Sequence, residues 1–156
     1  MAEIDRIDMA ILHALQDDAR NATTESIGER VDLASSSVAT RINDLEENGV
    51  ITGYTPVIDY DEAGFEQRLL LVGTVQGDDE GIVAAVSDVE NVISVERLLT
   101  DEGDLHIELV SRSQERAEAV TDDLHELGVE ITKTSVVVEE TNRPFNHLGA
   151  KYTNGE

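Results

Sequence analysis

The spacing of apolar residues changes once along this chain of 156 residues, and that change limits the folds open to it. Up to residue 49 the apolar side chains recur every three or four residues, which is typical of amphipathic helices. From residue 69 onward, short runs rich in valine, isoleucine and leucine alternate with two further helical patterns. The sequence therefore predicts an α+β protein in which a helical unit precedes a unit of alternating strands and helices.

The first unit is predicted to be a winged helix-turn-helix. Ile4 and Ile11 share one face of a first helix, and a second, shorter helix follows a threonine cap. A third helix covers residues 35–49, where Gly49 fits a left-handed cap. The β-rich run at residues 50–58 predicts a pair of short strands, which would form the wing.

The third helix has two contrasting faces. Val38, Ile42 and Leu45 are spaced to sit on a core. The opposite face carries hydroxyl groups and one guanidinium, on Ser36, Ser37, Thr40 and Arg41. Hydroxyls bond phosphates or base edges, and arginine can bind guanine through two hydrogen bonds. This face therefore predicts a recognition helix for the major groove of DNA.

Two plainer interpretations of the same face remain open. Arg41 could form an ion pair with Asp44 or Glu47 of its own helix instead of binding DNA. The serines and the threonine could be solvated surface without a partner. Neither alternative is decided by the spacing of the residues.

Charge is the unusual feature of the composition, because 34 acids oppose 11 bases and the net charge is −23. Residues 1–55 contain eleven acids and four bases, net −7, whereas most DNA-binding domains are basic. The acids are interleaved with periodic apolar residues, which argues against disorder. Dense carboxylates with only two lysines favour adaptation to molar salt, where a Debye length of about 3 Å removes long-range repulsion.

The second unit follows the order strand, helix, strand, strand, helix, strand. Its strands are predicted at residues 69–75, 92–99, 105–110 and 131–138. This βαββαβ order predicts a ferredoxin-like sheet with both helices on one face, while the other face needs cover, most simply from another subunit. The expected divisions are a helix-turn-helix domain at 1–58, a linker at 59–67, a ferredoxin-like domain at 68–141 and a tail at 142–156.

Several classes of protein are disfavoured. The chain lacks cysteine, a nucleophile with an adjacent base and a phosphate-binding glycine loop, so we expect no enzyme and no cofactor. Its N-terminal residues are amphipathic and charged and do not form a signal peptide, so a cytoplasmic location is expected. No metal site is predicted, although Asp101, Asp104 and His106 could together offer ligands to a divalent ion.

The order of these elements, together with several short strings, resembles the Lrp/AsnC family of feast/famine transcription regulators. The strings are Asp18-Ala19-Arg20, Arg41-Ile42, Leu45-Glu46, Gly49-Val50-Ile51 and Gly53-Tyr54. The resemblance implies a homodimer, often assembled into tetramers or octamers, that binds pseudo-palindromic promoter DNA. It also implies an effector, an amino acid bound between C-terminal domains.

The resemblance also implies roles for single residues. The positions matching the DNA contacts of the family are Ser35, Ser36, Ser37, Thr40 and Arg41, with Arg20 and Tyr54 near the phosphate backbone. Ala34 departs from the family, which usually has a capping serine there. Without that serine, the third helix should be less stable by about 1 kcal/mol, unless Ser35 or Ser36 acts as its cap instead.

The effector loop of the family has the pattern Thr-Gly-x-x-Asp, from which this chain departs. The implied effector residues are Thr100, Asp101, Glu102, Gly103 and Asp104, together with Thr132 and Thr134 of the last strand. The two additional carboxylates would favour a cationic group, such as lysine, arginine or a metal ion. A different class of function stays open, in which the acidic first unit binds another protein and the chain is a metabolite-sensing partner protein.

Overall fold

The computed structural model describes residues 3–75, 80–100 and 104–143. The chain forms two units, and the first consists of helices and the turns between them. Up to Pro56, the described residues form α1 (Arg6–Asp18), α2 (Thr24–Val31) and α3 (Ser35–Glu47). The apolar faces of these helices meet in one core, whose buried members are Ile11, Ala14, Ile27, Val38 and Leu45. The predicted order of three helices is confirmed.

Local chemistry fixes the ends of these helices. Asp5 caps α1 by accepting a hydrogen bond from the Asp8 N–H at 2.8 Å, while the Asp8 carboxylate accepts from the Asp5 N–H at 3.0 Å. Thr23 and Ser26 form the same reciprocal pair at the start of α2. Gly49 follows α3 with a φ of 70°, a left-handed conformation that suits glycine.

The pair of strands predicted for the wing is absent. Residues 50–58 are all described and contain no β-strand, and Val57 is 91% exposed. A β-prone run needs a neighbouring strand to supply its hydrogen bonds, and an isolated two-stranded hairpin is only marginally stable in water. Pro56 also lacks the N–H group that a central strand would donate. The expectation of two short strands at 50–58 was therefore wrong.

An antiparallel sheet forms the second unit, Val57–Glu140. Its described elements are β1 (Gln67–Val75), α4 (Ile82–Ser87), β2 (Val92–Arg97), β3 (Asp104–Ser111), α5 (Gln114–Glu126) and β4 (Val129–Val136). The strand order β2-β3-β1-β4 places the first and third strands in the centre. This arrangement confirms the predicted ferredoxin-like βαββαβ fold. Within the described ranges, no helix is long and apolar enough to cross a membrane.

The two faces of the sheet differ in character. Alternate residues of β1 and β3, such as Leu71 and Ile107, are fully buried in the core that also contains α4 and α5. The intervening residues point to the other face, where Arg68 of β1 pairs with Glu108 of β3 and with Glu140. Both Arg68 and Glu108 remain about one-fifth exposed, so this face, which also carries Leu70 and Val72, is half-buried.

Several strand boundaries differ from the sequence-based prediction, and the first strand already begins two residues early, at Gln67. The second strand ends at Arg97 and does not reach Leu99, which is fully exposed. The last strand begins at Val129, two residues earlier than expected, and ends at Val136. Gly73 allows the earlier start, because a Cβ at that position would lie 2.5 Å from Cγ1 of the buried Val129.

Residues 59–66, which were predicted to be part of a linker, contain a hydrogen-bonded turn. The Phe65 N–H donates to the Tyr60 carbonyl oxygen at 2.9 Å. The Tyr60 and Phe65 rings meet edge to face, 5.8 Å between centroids. The Arg68 guanidinium lies 5.5 Å from the centroid of the Tyr60 ring, a distance at which a cation and an aromatic face attract each other. This turn therefore belongs to the packing around the first strand of the sheet.

Candidate nucleic-acid interface

The turn between α2 and α3 is tight because Gly28 has no side chain. The Leu33 N–H donates to the Gly28 carbonyl oxygen at 2.9 Å, and Asp32 between them adopts a left-handed conformation with a φ of 56°. A Cβ on Gly28 would lie only 2.4 Å from the Leu33 carbonyl oxygen. The close approach of these backbones sets the path of the chain into α3.

The N-terminus of α3 combines backbone N–H groups with exposed hydroxyls. Ala34 occupies the cap position in an extended conformation, and no side chain among the described residues caps the helix. The side chains of Ser35, Ser36 and Ser37 follow it, and all three residues are exposed. Neither Ser35 nor Ser36 replaces the missing cap, since the helix already begins at Ser35. A helix start of this kind offers donors to a phosphate.

We expect Ala34→Ser to raise the free energy of unfolding of the first unit by about 1 kcal/mol. The new hydroxyl would accept a hydrogen bond from the N–H of Ser36 or Ser37. Hydrogen exchange of the α3 amides in the full chain measures the gain. Ala19→Ser is the matched control, because Ala19 is exposed at the C-terminal cap of α1, where a hydroxyl satisfies no N–H group. Equal protection in the two variants would contradict the prediction.

The exposed side of α3 is an outer stripe made of Ser36, Thr40, Asn43 and Glu47. These residues recur every three or four positions, so they line up along the helix opposite the buried Val38. The Thr40 hydroxyl donates to the Ser36 carbonyl oxygen at 3.0 Å, which orients it along the helix. Sequence reasoning missed Asn43, although its position seven residues after Ser36 indicates the same stripe. Asparagine can bind adenine through two hydrogen bonds.

Arg41 lies elsewhere than the sequence-based interpretation placed it. It is half-buried at the edge of the core, and its Nη1 donates to Asp5 Oδ2 and to Asp8 Oδ1, each at 2.8 Å. Its partners are acids of another helix start and not Asp44 or Glu47. Hydrogen bonds from Asp8 and Asp5 raise the pKa of Arg41 against the effect of burial. The helical spacing could not reveal these partners, since they lie more than thirty residues away in the sequence.

The two residues expected near the phosphate backbone follow different helices, Arg20 after α1 and Tyr54 after α3. Arg20 is exposed just after α1. The Tyr54 hydroxyl donates to Glu46 Oε1 at 2.9 Å, which ties residue 54 to the last turn of α3. Burial, with the Glu46 carboxylate adding to it, raises the pKa of Tyr54. Tyr54 therefore stays a neutral donor at physiological pH.

Two of the expected effector residues, Thr100 and Asp104, lie at the end of the sheet where β3 begins. The Thr100 hydroxyl accepts a hydrogen bond from the Asp104 N–H at 3.1 Å. Asp101, Glu102 and Gly103 lie outside the described residues. The structure thus brings together the two ends of this loop, Thr100 and Asp104.

The threonines of the last strand behave differently from one another. Thr132 donates to the Val72 carbonyl oxygen at 3.2 Å, next to the irregularity in the pairing of β1 with β4. Thr134 lies opposite Leu71 in the same strand pair and is exposed. Among the described residues, no group of three histidine, cysteine or acidic side chains is suited to a metal ion, and Asp101 is outside that set.

Comparison with known proteins connects both units to transcription regulators. A family model described as winged helix-turn-helix DNA-binding matches residues 4–52. An HTH-type transcriptional regulator of Pyrococcus furiosus is 31% identical over 148 residues, which cover 92% of this chain and 97% of that protein. A leucine-responsive regulatory protein of Rhizobium meliloti is 36% identical over 83 residues, 53% of each chain.

A solved structure matches the fold over most of the chain. The feast or famine regulatory protein from M. tuberculosis, complexed with L-methionine, superposes with a TM-score of 0.79 at 21% identity. The superposition covers 90% of this chain and 96% of that one. The match therefore extends through both the helical unit and the sheet.

Proposed function

The chain belongs to the Lrp family of helix-turn-helix transcription regulators, and we propose that it reads specific promoter sequences with the outer stripe of α3 in response to an amino acid. The observation that carries this proposal is the outer stripe itself, which begins at an uncapped helix start with three exposed serines. Ser36, Thr40 and Asn43, the neutral members of the stripe, can enter a major groove and meet base edges without steric hindrance.

DNA binding through neutral hydrogen bonds is consistent with the negative charge of the first unit. The outer stripe contains no cation, and the first 55 residues carry a net charge of −7. Affinity would then depend on Ser36, Thr40 and Asn43 at base edges and on the hydroxyls of Ser35 and Ser37 at phosphates, with Arg20 and Tyr54 beside the backbone. The protein works, in this proposal, in the concentrated salt of a halophile's cytoplasm, where screening reduces the repulsion of DNA.

The effector proposal concerns the loop between β2 and β3. Thr100 and Asp104 hold the two ends of that loop together by a hydrogen bond. The M. tuberculosis relative of similar fold is complexed with L-methionine, which supports an amino acid as the class of ligand. Asp101 and Glu102 add two carboxylates to the loop, so we propose a preference for lysine or arginine over neutral amino acids.

We also propose that a second copy of the chain covers the face of the sheet that α4 and α5 leave open. The ion pairs of Arg68 with Glu108 and Glu140 lie on that face and are only partly exposed in one subunit. An assembly of two or more chains can exist in two states. An effector shifts the equilibrium between them only if it binds the two states with different affinities. In a regulator of this kind, the two states differ in the spacing of the two recognition helices.

The test uses the full chain and the duplex that it enriches most from a random pool, called the selected duplex below. Binding is measured with each of the common amino acids and with magnesium or manganese chloride. We expect a cationic amino acid to change the affinity for the selected duplex by at least about fivefold, the lower end of typical coupling between sites. Enrichment of a sequence without any response to amino acids would contradict the effector proposal and leave DNA reading intact.

A further inference from the structure

We infer that Arg41 is a positioning residue, which fastens the recognition helix α3 to the start of α1 and does not itself bind DNA. Its Nη1 bridges two carboxylates, Asp5 at 2.8 Å and Asp8 at 2.8 Å. Asp5 is the cap of α1 and Asp8 the third residue of that helix. One guanidinium nitrogen thereby connects α3 to both members of the capping pair.

The hydrogen bonds of this cluster form a closed set. Asp5 Oδ1 accepts from the Asp8 N–H and Asp8 Oδ2 accepts from the Asp5 N–H, while Arg41 occupies the remaining oxygen of each carboxylate. Burial alone would raise the pKa of Asp5, but the Asp8 N–H and Arg41 outweigh it and hold that pKa below its usual value. Asp5 is therefore a charged partner for Arg41 at neutral pH.

The burial of Asp8 makes the connection difficult to open. Its side chain is only 12% exposed, whereas that of Asp5 is 48% exposed. If Arg41 swung out to a phosphate, Asp8 would be left as a charge with little solvent and no cation, which is strongly unfavourable. A phosphate would also have to approach a cleft lined by the carboxylates of Glu3, Asp5, Asp8 and Asp44. The burial of Asp8 and the negative charge of the cleft both keep the Arg41 side chain paired with the start of α1.

A double-mutant cycle in the full chain measures the connection without DNA. The variants are Arg41→Gln, Asp8→Asn and both together, and Asn can still accept the hydrogen bond from the Asp5 N–H. We expect each single change to lower the hydrogen-exchange protection of α1 and α3 by about tenfold, and the double change to lower it no further. Arg30→Gln is the charge-matched control on α2 and should leave this protection unchanged.

The second readout rests on the proposed function and uses the selected duplex. We expect Arg41→Gln and Asp8→Asn to weaken binding by the same factor, with unchanged sequence preference and unchanged dependence on salt. A residue that binds phosphate behaves otherwise. Its loss reduces the slope of log affinity against log salt concentration by about one unit, because one phosphate contact is removed. Removal of the Asp8 charge would then strengthen binding, since it frees the guanidinium and removes a negative charge.

The outcomes separate the two proposals. Additive losses of protection, or tighter DNA binding by Asp8→Asn, would overturn the positioning role. Coupled losses of protection in a chain that binds no duplex specifically would support the positioning role and refute DNA reading. If Arg41→Gln unfolds the first unit, Arg41→Lys replaces it in the cycle, because one ammonium keeps the charge but reaches the two carboxylates less well. Additivity in that second cycle would overturn the inference equally.

Discussion

Gly28→Ala is expected to destabilise the helix-turn-helix unit by about 3 kcal/mol or more, the upper end of the cost of overpacking. The added Cβ would lie 2.4 Å from the Leu33 carbonyl oxygen, which belongs to the backbone and cannot rotate away. Relief requires α2 and α3 to separate at the turn that the hydrogen bond from Leu33 to Gly28 closes. The direction of this change in stability is informative, because replacing glycine by alanine within a helix normally stabilises the helix by about 1 kcal/mol.

Hydrogen exchange of the full chain measures this effect with an internal reference. Amides of α2 and α3 should lose protection in Gly28→Ala, whereas those of the separate core around Leu71 and Ile107 should keep theirs. Gly53→Ala is the control, since nothing lies within 4 Å of a Cβ at that position. A Gly28→Ala variant as stable as the parent chain would show that the close turn between the two helices is not required.

Ser36→Glu is expected to weaken binding to the selected duplex by about 100-fold, the effect of placing like charges together at an interface. Ser36 is exposed in the first turn of α3 and lies on the outer stripe. A carboxylate there would face the phosphates or base edges that the stripe is proposed to contact. It would also stabilise α3 by about 0.5 kcal/mol, because negative charge is favourable at a helix N-terminus. Stability and DNA affinity should thus change in opposite directions.

Gln114→Glu is the matched control for this variant. It adds the same charge to the first turn of α5, which has the same length as α3, 13 residues, but lies in the second unit. We expect the control to bind the selected duplex within about twofold of the parent chain, since the added charge is not on the outer stripe and salt screens its effect. Equal losses in the two variants would indicate general repulsion of DNA by negative charge, and the proposed role of the outer stripe would be wrong.

The sequence was sufficient where structure depends on near neighbours. The periodicity of three or four residues located α1, α2 and α3, and Gly49 marked the end of the third helix through its left-handed conformation. Runs rich in valine, isoleucine and leucine located the four strands, and the order of strands and helices predicted the ferredoxin-like sheet. These features follow from local propensities and patterns that act within a few residues of one another.

The failures all concern partners that are distant in sequence. The run at 50–58 is β-prone, yet a strand needs a neighbour to hydrogen-bond with, and composition does not specify one. The helical spacing placed Arg41 on the hydroxyl-bearing face of α3, and it could not show that the side chain pairs with residues of α1. The early start of β4 depends on the close contact of Gly73 with Val129, which no local pattern of residues encodes.

The candidate interface was predictable in part. Hydroxyl-bearing residues at the start of α3 stood out by composition, and the structure exposes all of them. Asn43 was recognisable by spacing but was obscured by the acidic residues around it, which resemble a solvated face. Residues 101–103 of the effector loop lie outside the described residues, so the roles of the Asp101 and Glu102 carboxylates stay predictions.

The affinity of the full chain for the selected duplex and for a shuffled duplex, measured from about 0.2 to about 2 M potassium chloride, tests the proposed DNA reading most directly. Neutral contacts release few counterions, so we predict that the selected duplex stays preferred and that its affinity holds or rises with salt. Equal affinity for the two duplexes at every concentration would contradict reading by α3. A steep fall with salt would show that arginine–phosphate pairs, and not the neutral residues of the outer stripe, carry the binding.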